Sequence, residues 1–281
     1  MIENSEKDHL ESVIALNMVL KGNLEKDLTE QESERNISRN LVGVYAINDI
    51  ISQSPSSFSF NGKGGSGLMI TTNGFIITAY HNIQSIEDEW RRINEENPGP
   101  ITQENINSWT TRMRNRYCVM DQEGNRFPID TSFWATSQDI DIALIKAFTN
   151  RRPEAIKFRV VKEPLKVGDE VKLLGLRDHK LYNQYGRIIS GDYNTQISDQ
   201  ETGKVQSVKY DTFLTDAYGV PGFSGGVFTN LHGEFAGLAL YIQKDGTKEI
   251  GKAGGAKVKN IVQLVEESAY KLGQIQLAIK R

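Results

Sequence analysis

Only one cysteine, Cys118, occurs in the 281 residues, so no disulfide can form within the chain. Extracellular proteins of many folds lean on disulfides, and their exclusion here points to a reducing compartment. A leader is not expected either. The opening MIENSEKDHLES is polar and acidic, without the basic stretch and apolar run of a secretory signal, which sets the expectation of a cytoplasmic protein. Long apolar runs are absent. The stretch 13–20 is too short and too interrupted to cross a bilayer, so no membrane is an expected partner. Charge of one sign is not in excess, with 33 Lys and Arg against 36 Asp and Glu and a net charge of −3. Phosphate backbones require concentrated Lys and Arg, so nucleic acid is not expected either. The basic trio Arg112, Arg114 and Arg116 is flanked at a distance by acidic Glu104 and Asp121 and reads as a solvated face. There is no C-x-x-C and no H-E-x-x-H, and His9, His179 and His232 stand apart. No metal and no cofactor is therefore expected.

What is present is the composition of a chain able to bury a core, 38% hydrophobic and 25% charged. Residues 1–40 differ from the rest, with nine acidic and five basic residues, no proline and one glycine. Leu10, Val13, Ile14, Leu16, Leu20 and Leu24 recur at near-helical spacing, which predicts one or two amphipathic helices. Such an extension either packs on the body of the protein or serves as an oligomerisation or regulatory arm. From Leu41 onward the texture becomes short β-rich runs, among them LVGVYAI, FIITAY, IALIKAF, EVKLLGL, VKYDTFL and EFAGLALYI, with Asn73-Gly74 marking a tight hairpin. Strands at this density suggest closed or sandwiched antiparallel sheet. A division near residue 150 yields an all-β chain of two barrels, 41–150 and 151–281, each of roughly 100 residues or a little more. The polar segment 85–116, helical in character and broken at Pro98-Gly99-Pro100, interrupts the first barrel and offers a second surface for a regulatory partner or another copy of the chain. A C-terminal helix carries Val258, Ile261, Val262, Val265, Ala269 and Leu272 on one stripe, after a segment 251–255 read as flexible. Gly62 to Gly67 fits G-x-G-x-x-G, but a β-rich run follows where a dinucleotide site needs a helix.

The chemistry centres on Pro221-Gly222-Phe223-Ser224-Gly225-Gly226. An acylating serine needs exposure, a base, and donors aimed at the developing oxyanion. Glycines beside Ser224 permit a tight turn whose successive N–H groups point into one concavity. On that reading the amides of Gly222 and Ser224 form an oxyanion hole, while a plain Gly/Ser turn is the alternative. His81 closes the FIITAY run, and Asp139 and Asp141 stand at the mouth of IALIKAF. Both aspartates would point to the same side of an extended segment. Asp141 is preferred because it directly precedes the apolar run. The order His, Asp, Ser is one of the known chain orders of the catalytic triad.

These segments resemble the trypsin-like peptidases, and among them the HtrA-type proteases. Gly65-Ser66-Gly67 with Asn73 to His81 is similar to the family's GSG strand and its DGYILTAAH stretch. Asp141 to Lys146 resembles the strand that carries the catalytic aspartate. Thr215-Asp216-Ala217 through Gly226 resembles TDA-x-x-x-PG-x-SGG. The resemblance spans about residues 41–272 and implies the chymotrypsin fold of two six-stranded barrels, with protein or peptide substrates. It implies His81 as general base, Asp141 as its orienting acid and Ser224 as nucleophile. Tyr218 and Val220, with the run Leu238, Ala239 and Leu240, should wall the P1 pocket. With no carboxylate beside the serine, that pocket is expected to be apolar. The pattern also departs from the family. Phe223 stands where trypsins carry Asp, which removes the partner of a cleaved N-terminus. Tyr80 replaces a small residue and is expected to crowd or line the site. No PDZ domain is expected after the protease unit. Tyr80 and Phe223 leave open a catalytically silent or partner-activated module that binds peptides.

Overall fold

In a computed structural model of the chain, residues 2–22, 27–54, 57–85, 88, 91–92, 95, 102–149, 154–198, 205–244 and 251–279 are described. Strands β1 (Leu41–Ser54), β2 (Ser57–Met69), β3 (Phe75–Ala79), β4 (Tyr117–Met120), β5 (Arg126–Ser137) and β6 (Ile142–Ala147) close into one barrel in the order β1-β2-β3-β6-β5-β4. Strands β7 (Glu170–Arg177), β8 (Lys180–Ser198), β9 (Val205–Gly219), β10 (Val227–Asn230), β11 (Phe235–Lys244) and β12 (Gly251–Lys257) close into a second, in the order β10-β11-β12-β9-β8-β7. The two antiparallel six-stranded barrels expected from the sequence are thus present. Closure leaves neither sheet an unpaired edge.

Alternation explains why β3 and β6 are apolar along their whole length. Phe75, Ile77, Ala79, Ile142 and Leu144 face a core shared with the helices and the second barrel. Ile76, Ala143, Ile145 and Ala147 face a separate first-barrel cluster with Val42, Val44 and Met69. Successive side chains of a strand point to opposite faces, so a strand covered on both sides carries no polar register.

The barrels are flanked by helices α1 (Ile2–Leu20), α2 (Glu30–Arg39), α3 (Gln103–Arg116) and α4 (Val258–Ile279). The N-terminal extension packs on the body. Val13, Leu16, Val19 and Leu20 of α1 are buried in the core that holds Phe75 and Leu144, together with Ile261, Leu264 and Val265 of α4. Each such side chain contributes about 1.5–3 kcal/mol. Ile14, placed on the apolar stripe by spacing, is 48% exposed because it lies past the edge of that contact. Leu24 and Pro98-Gly99-Pro100 lie outside the described residues, as does the side chain of Leu272. Helix α3 realises the helical character of the insertion and buries Met113 against Tyr80 and Tyr117. Among the described residues no helix is long and apolar enough to cross a membrane.

The segment 251–255, read as flexible, is instead part of strand β12, which closes the second barrel between β9 and β11. Gly254 and Gly255 are there because neighbouring groups occupy the space of a side chain. A Cβ on Gly254 would overlap the Tyr241 ring, and one on Gly255 would lie 2.6 Å from the Leu238 carbonyl and 2.9 Å from the Phe228 ring. Strand propensity is a matter of fitting such surroundings.

Two side chains outside the cleft yield direct tests. Cys118 is fully buried in the first barrel, and burial pushes its thiol up to about 11. Since the thiolate is the reactive form, the native protein should leave a thiol reagent such as dithionitrobenzoate unconsumed, and denatured protein should consume one equivalent. Rapid native reaction would contradict the packing. His179 occupies the two-residue turn between β7 and β8, where it and Asp178 both have positive φ, as a type I′ turn requires. Its Nδ1 lies 3.3 Å from the Tyr45 hydroxyl of β1, which joins that turn to the first barrel. Burial lowers the His179 pKa, against the opposing pull of Asp178 and Asp121. The folded value lies below the unfolded one, about 6.5, so the unfolded chain takes up the proton first as the pH falls. Stability present above that value is then lost toward the lower folded value. The thermal midpoint should therefore fall on acidification through this range, and His179→Gln should flatten that slope in scanning calorimetry. An unchanged slope would remove His179 as its source.

Candidate active site

Register brings the first pair of residues together. Ala79 of β3 lies opposite Ile142 of β6, so the residues after one strand and before the other meet at one end of the barrel. After Ala79 the chain makes a 3-10 turn, Tyr80–Asn82, and before Asp141 it makes another, Gln138–Ile140. Asp141 ends the second turn at φ 53 and ψ 40, in the left-handed region that Asp enters more readily than most side chains. Its carbonyl accepts from the Tyr80 amide at 2.9 Å. Both oxygens of its carboxylate then engage His81. Oδ1 accepts the backbone N–H at 3.0 Å, and Oδ2 lies 2.7 Å from Nδ1. Asp141 is 1% exposed, and a carboxylate so buried requires partners of this kind. An ionised carboxylate can only accept, so Nδ1 carries the ring proton, and in the neutral ring Nε2 is the nitrogen that can act as a base. Asp139 remains exposed. The two aspartates do not share a side, because the segment is a 3-10 turn and not extended chain.

The second barrel presents the turn 222–226 ahead of β10. Phe223 donates its amide to the Val220 carbonyl at 3.1 Å, and Gly226 donates to the Phe223 carbonyl at 2.8 Å. Gly225 donates to the Ala239 carbonyl at 2.6 Å, and Ala239 returns a bond to the Gly226 carbonyl at 2.8 Å. Gly222 has φ +99, a conformation open to glycine at little cost. The Phe223 ring anchors the turn by burial. It is 2% exposed, among Val171, Leu173, Ile188 and Phe213, and a Cβ on Gly175 would lie 2.8 Å from it. An apolar anchor thus occupies the position where trypsins carry Asp. Among the described residues no acceptor meets the amide of Gly222 or of Ser224. Two such donors on one turn favour a developing negative charge.

The Ser224 hydroxyl donates to the Leu240 carbonyl at 3.4 Å, near the limit of a hydrogen bond. The predicted wall residues fall in different places. Leu238, Ala239 and Leu240 bury their side chains, and Ala239 and Leu240 reach the turn through backbone groups. Val220 accepts from Phe223 and packs against the second-barrel cluster. Tyr218 is 57% exposed and lines a surface hollow of about 700 Å³ with Glu170, Tyr185, Arg187, Asp216 and Leu231. There Asp216 Oδ1 accepts the Arg187 amide at 2.5 Å. Tyr80 packs into the first barrel. It is 4% exposed in the first-barrel cluster, and its hydroxyl accepts from Gln138 Nε2 at 3.1 Å.

Three polar residues that sequence reasoning passed over join the two halves. Ser66, fully buried on β2, donates from Oγ to the Gly222 carbonyl at 2.7 Å and accepts from the Leu176 amide at 2.8 Å. Its own amide donates to the Ser224 carbonyl at 2.6 Å. Asn82 Nδ2 donates to that same carbonyl at 2.9 Å and to Thr78 Oγ1 at 3.1 Å. Thr78 Oγ1 in turn donates to the Ser66 carbonyl at 2.7 Å. The available signal was a polar residue at each apolar strand end and an asparagine directly after the histidine.

Residues 65–238, more than half of the chain, match the family described as trypsin-like peptidase domain. The matched span contains His81, Asp141 and Ser224. No curated protein matches the chain.

Proposed function

Because the chain belongs to the trypsin-like peptidase family, we propose that it is a serine endopeptidase acting on protein or peptide substrates through an acyl-enzyme on Ser224. The observation that carries this reading is the disposition of Asp141, which holds His81 by both its ring and its backbone. His81 Nε2 takes the Ser224 proton as Oγ attacks the substrate carbonyl, and buried Asp141 stabilises the imidazolium that forms. The Gly222 and Ser224 amides receive the oxyanion. Collapse of that intermediate expels the amine, which leaves with the proton from His81. Water, deprotonated by His81, then attacks the ester and regenerates the serine hydroxyl.

An HtrA-type protease unit is the finer assignment, and it rests on the GSG and TDA…SGG segments. Asp216 accepts the Arg187 amide in a surface hollow, which favours an apolar P1 residue over a basic one. A fluorophosphonate probe and unfolded casein test the reading. The parent should be labelled and should cleave casein, and Ser224→Ala should do neither. A parent that does neither defeats the reading and leaves a peptide-binding module in its place.

A further inference from the structure

The turn that carries Ser224 belongs to the second barrel, yet both its outward carbonyls are held by the first. Three successive peptide planes surround Ser224. The 222–223 plane is fixed by the Ser66 hydroxyl on the Gly222 carbonyl. The 223–224 plane, which contains the Ser224 amide, is fixed by the Gly226 amide on the Phe223 carbonyl. The 224–225 plane is fixed on the Ser224 carbonyl by the Ser66 amide and Asn82. Two of these three planes are thus gripped from both barrels, their amides by Val220 and Ala239 and their carbonyls by Ser66 and Asn82.

The clamp is itself braced. From the Ser224 carbonyl, hydrogen bonds run through Asn82, Thr78 and Ser66 and return to the same carbonyl. Asn82 uses both amide protons in this ring, one toward each partner. Its carboxamide fills the space beside Gly65, where a Cβ would overlap it. The Ser66 hydroxyl spends its one proton on Gly222 and accepts from β7, so its rotation is fixed. Buried networks with every member satisfied hold one geometry, and partly broken ones do not.

We propose that Ser66 and Asn82 are positioning residues that orient the Ser224 turn, so that the nucleophile of one barrel is competent only while the other barrel holds it. The proposal rests on the reading of Ser224 as nucleophile. Neither residue touches the substrate. Each acts through a carbonyl of the turn on the peptide planes that flank the Ser224 amide, and a misplacement near 1 Å in such a site costs on the order of 100-fold in rate.

Ser66→Ala and Asn82→Leu test it, the second keeping the side-chain volume while removing both donors. Fluorophosphonate labelling rates, and kcat and KM on labelled casein, are measured together with the thermal midpoint. The expected result is labelling and kcat lowered about 10- to 100-fold with KM changed less than about 2-fold, in protein that is fully folded at the assay temperature. Labelling at the parent's rate in both variants overturns the proposal and leaves the peptidase reading standing. Loss of labelling only in proportion to loss of folded protein also overturns it, since the residues would then be fold-holding alone. A parent that is never labelled removes the peptidase reading and the proposal with it.

Discussion

Asp141→Asn should lower kcat about 10⁴-fold while leaving the fold and the thermal midpoint nearly unchanged. The backbone has no reason to move, because asparagine tolerates the left-handed conformation of Asp141 as well as aspartate does. The side-chain shape is also kept. What changes is the pattern of donors. Both carboxylate oxygens now accept from His81, one from the backbone amide and one from the ring. Asparagine has one oxygen and one NH2 group for these two places. With its oxygen on the backbone amide, its NH2 faces Nδ1, which must then give up the proton and accept. The ring proton moves to Nε2, the atom that has to receive the Ser224 proton, and His81 becomes the wrong tautomer. Steady-state rates on casein together with a melting curve check this. A loss below about tenfold would mean that Asp141 does not set the His81 tautomer during turnover. Lost activity accompanied by lost stability would make its role structural.

The reason that Asp141 and not Asp139 faces His81 marks where the sequence stops being legible. The apolar runs of β3 and β6 were readable because strands covered on both faces carry hydrophobic residues without interruption. They placed His81 and an aspartate at strand ends, which is most of the site. Side alternation offered no choice, since extended chain would put both aspartates on one side; Asp141 was preferred for directly preceding the apolar run, and what sets it apart, a 3-10 turn ending in a left-handed residue, was not readable. Conformation of that kind is set by tertiary contacts such as the Tyr80 amide on the Asp141 carbonyl. Strand β12 was hidden for a related reason. Its residues Gly251 to Lys257 show no β-branched or aromatic pattern, because the bulk that fills the space belongs to Tyr241 and Phe228 on other strands. The Leu238–Leu240 segment was found, but its contacts with the turn run through carbonyl and amide groups. Every residue type has these, so side-chain chemistry could not disclose them. By contrast, the start of α2 carries a local signal that the sequence reading did not use. Thr29 and Glu32 form a reciprocal capping box, the S/T-x-x-E signature in plain form.

Gly225 joins the fold to the site, and Gly225→Ala should cost both. The residue has φ +83 and sits where the second barrel presses on the first. A Cβ there would overlap the Ser66 carbonyl oxygen, come within 2.5 Å of Thr78 Oγ1 and lie 3.0 Å from the Ala79 amide. These are members and neighbours of the hydrogen-bonded ring that grips the Ser224 carbonyl. Two costs therefore combine. The left-handed conformation alone costs alanine on the order of 1 kcal/mol. The overlap is with backbone and a buried hydroxyl, neither of which can swing aside, and relieving it must part the barrels or break the ring. The expected total is about 3–5 kcal/mol, which for a chain of this size lowers the thermal midpoint by roughly 10 °C. Fluorophosphonate labelling should slow further than that instability explains, since the turn itself is displaced. Gly168→Ala separates the two costs, because Gly168 has φ +96 but no atom within 4 Å of a Cβ. That variant should show the conformational cost alone and label at the parent's rate. If Gly225→Ala melts no lower than Gly168→Ala, the close approach of the barrels at Gly225 is not what holds the turn in place.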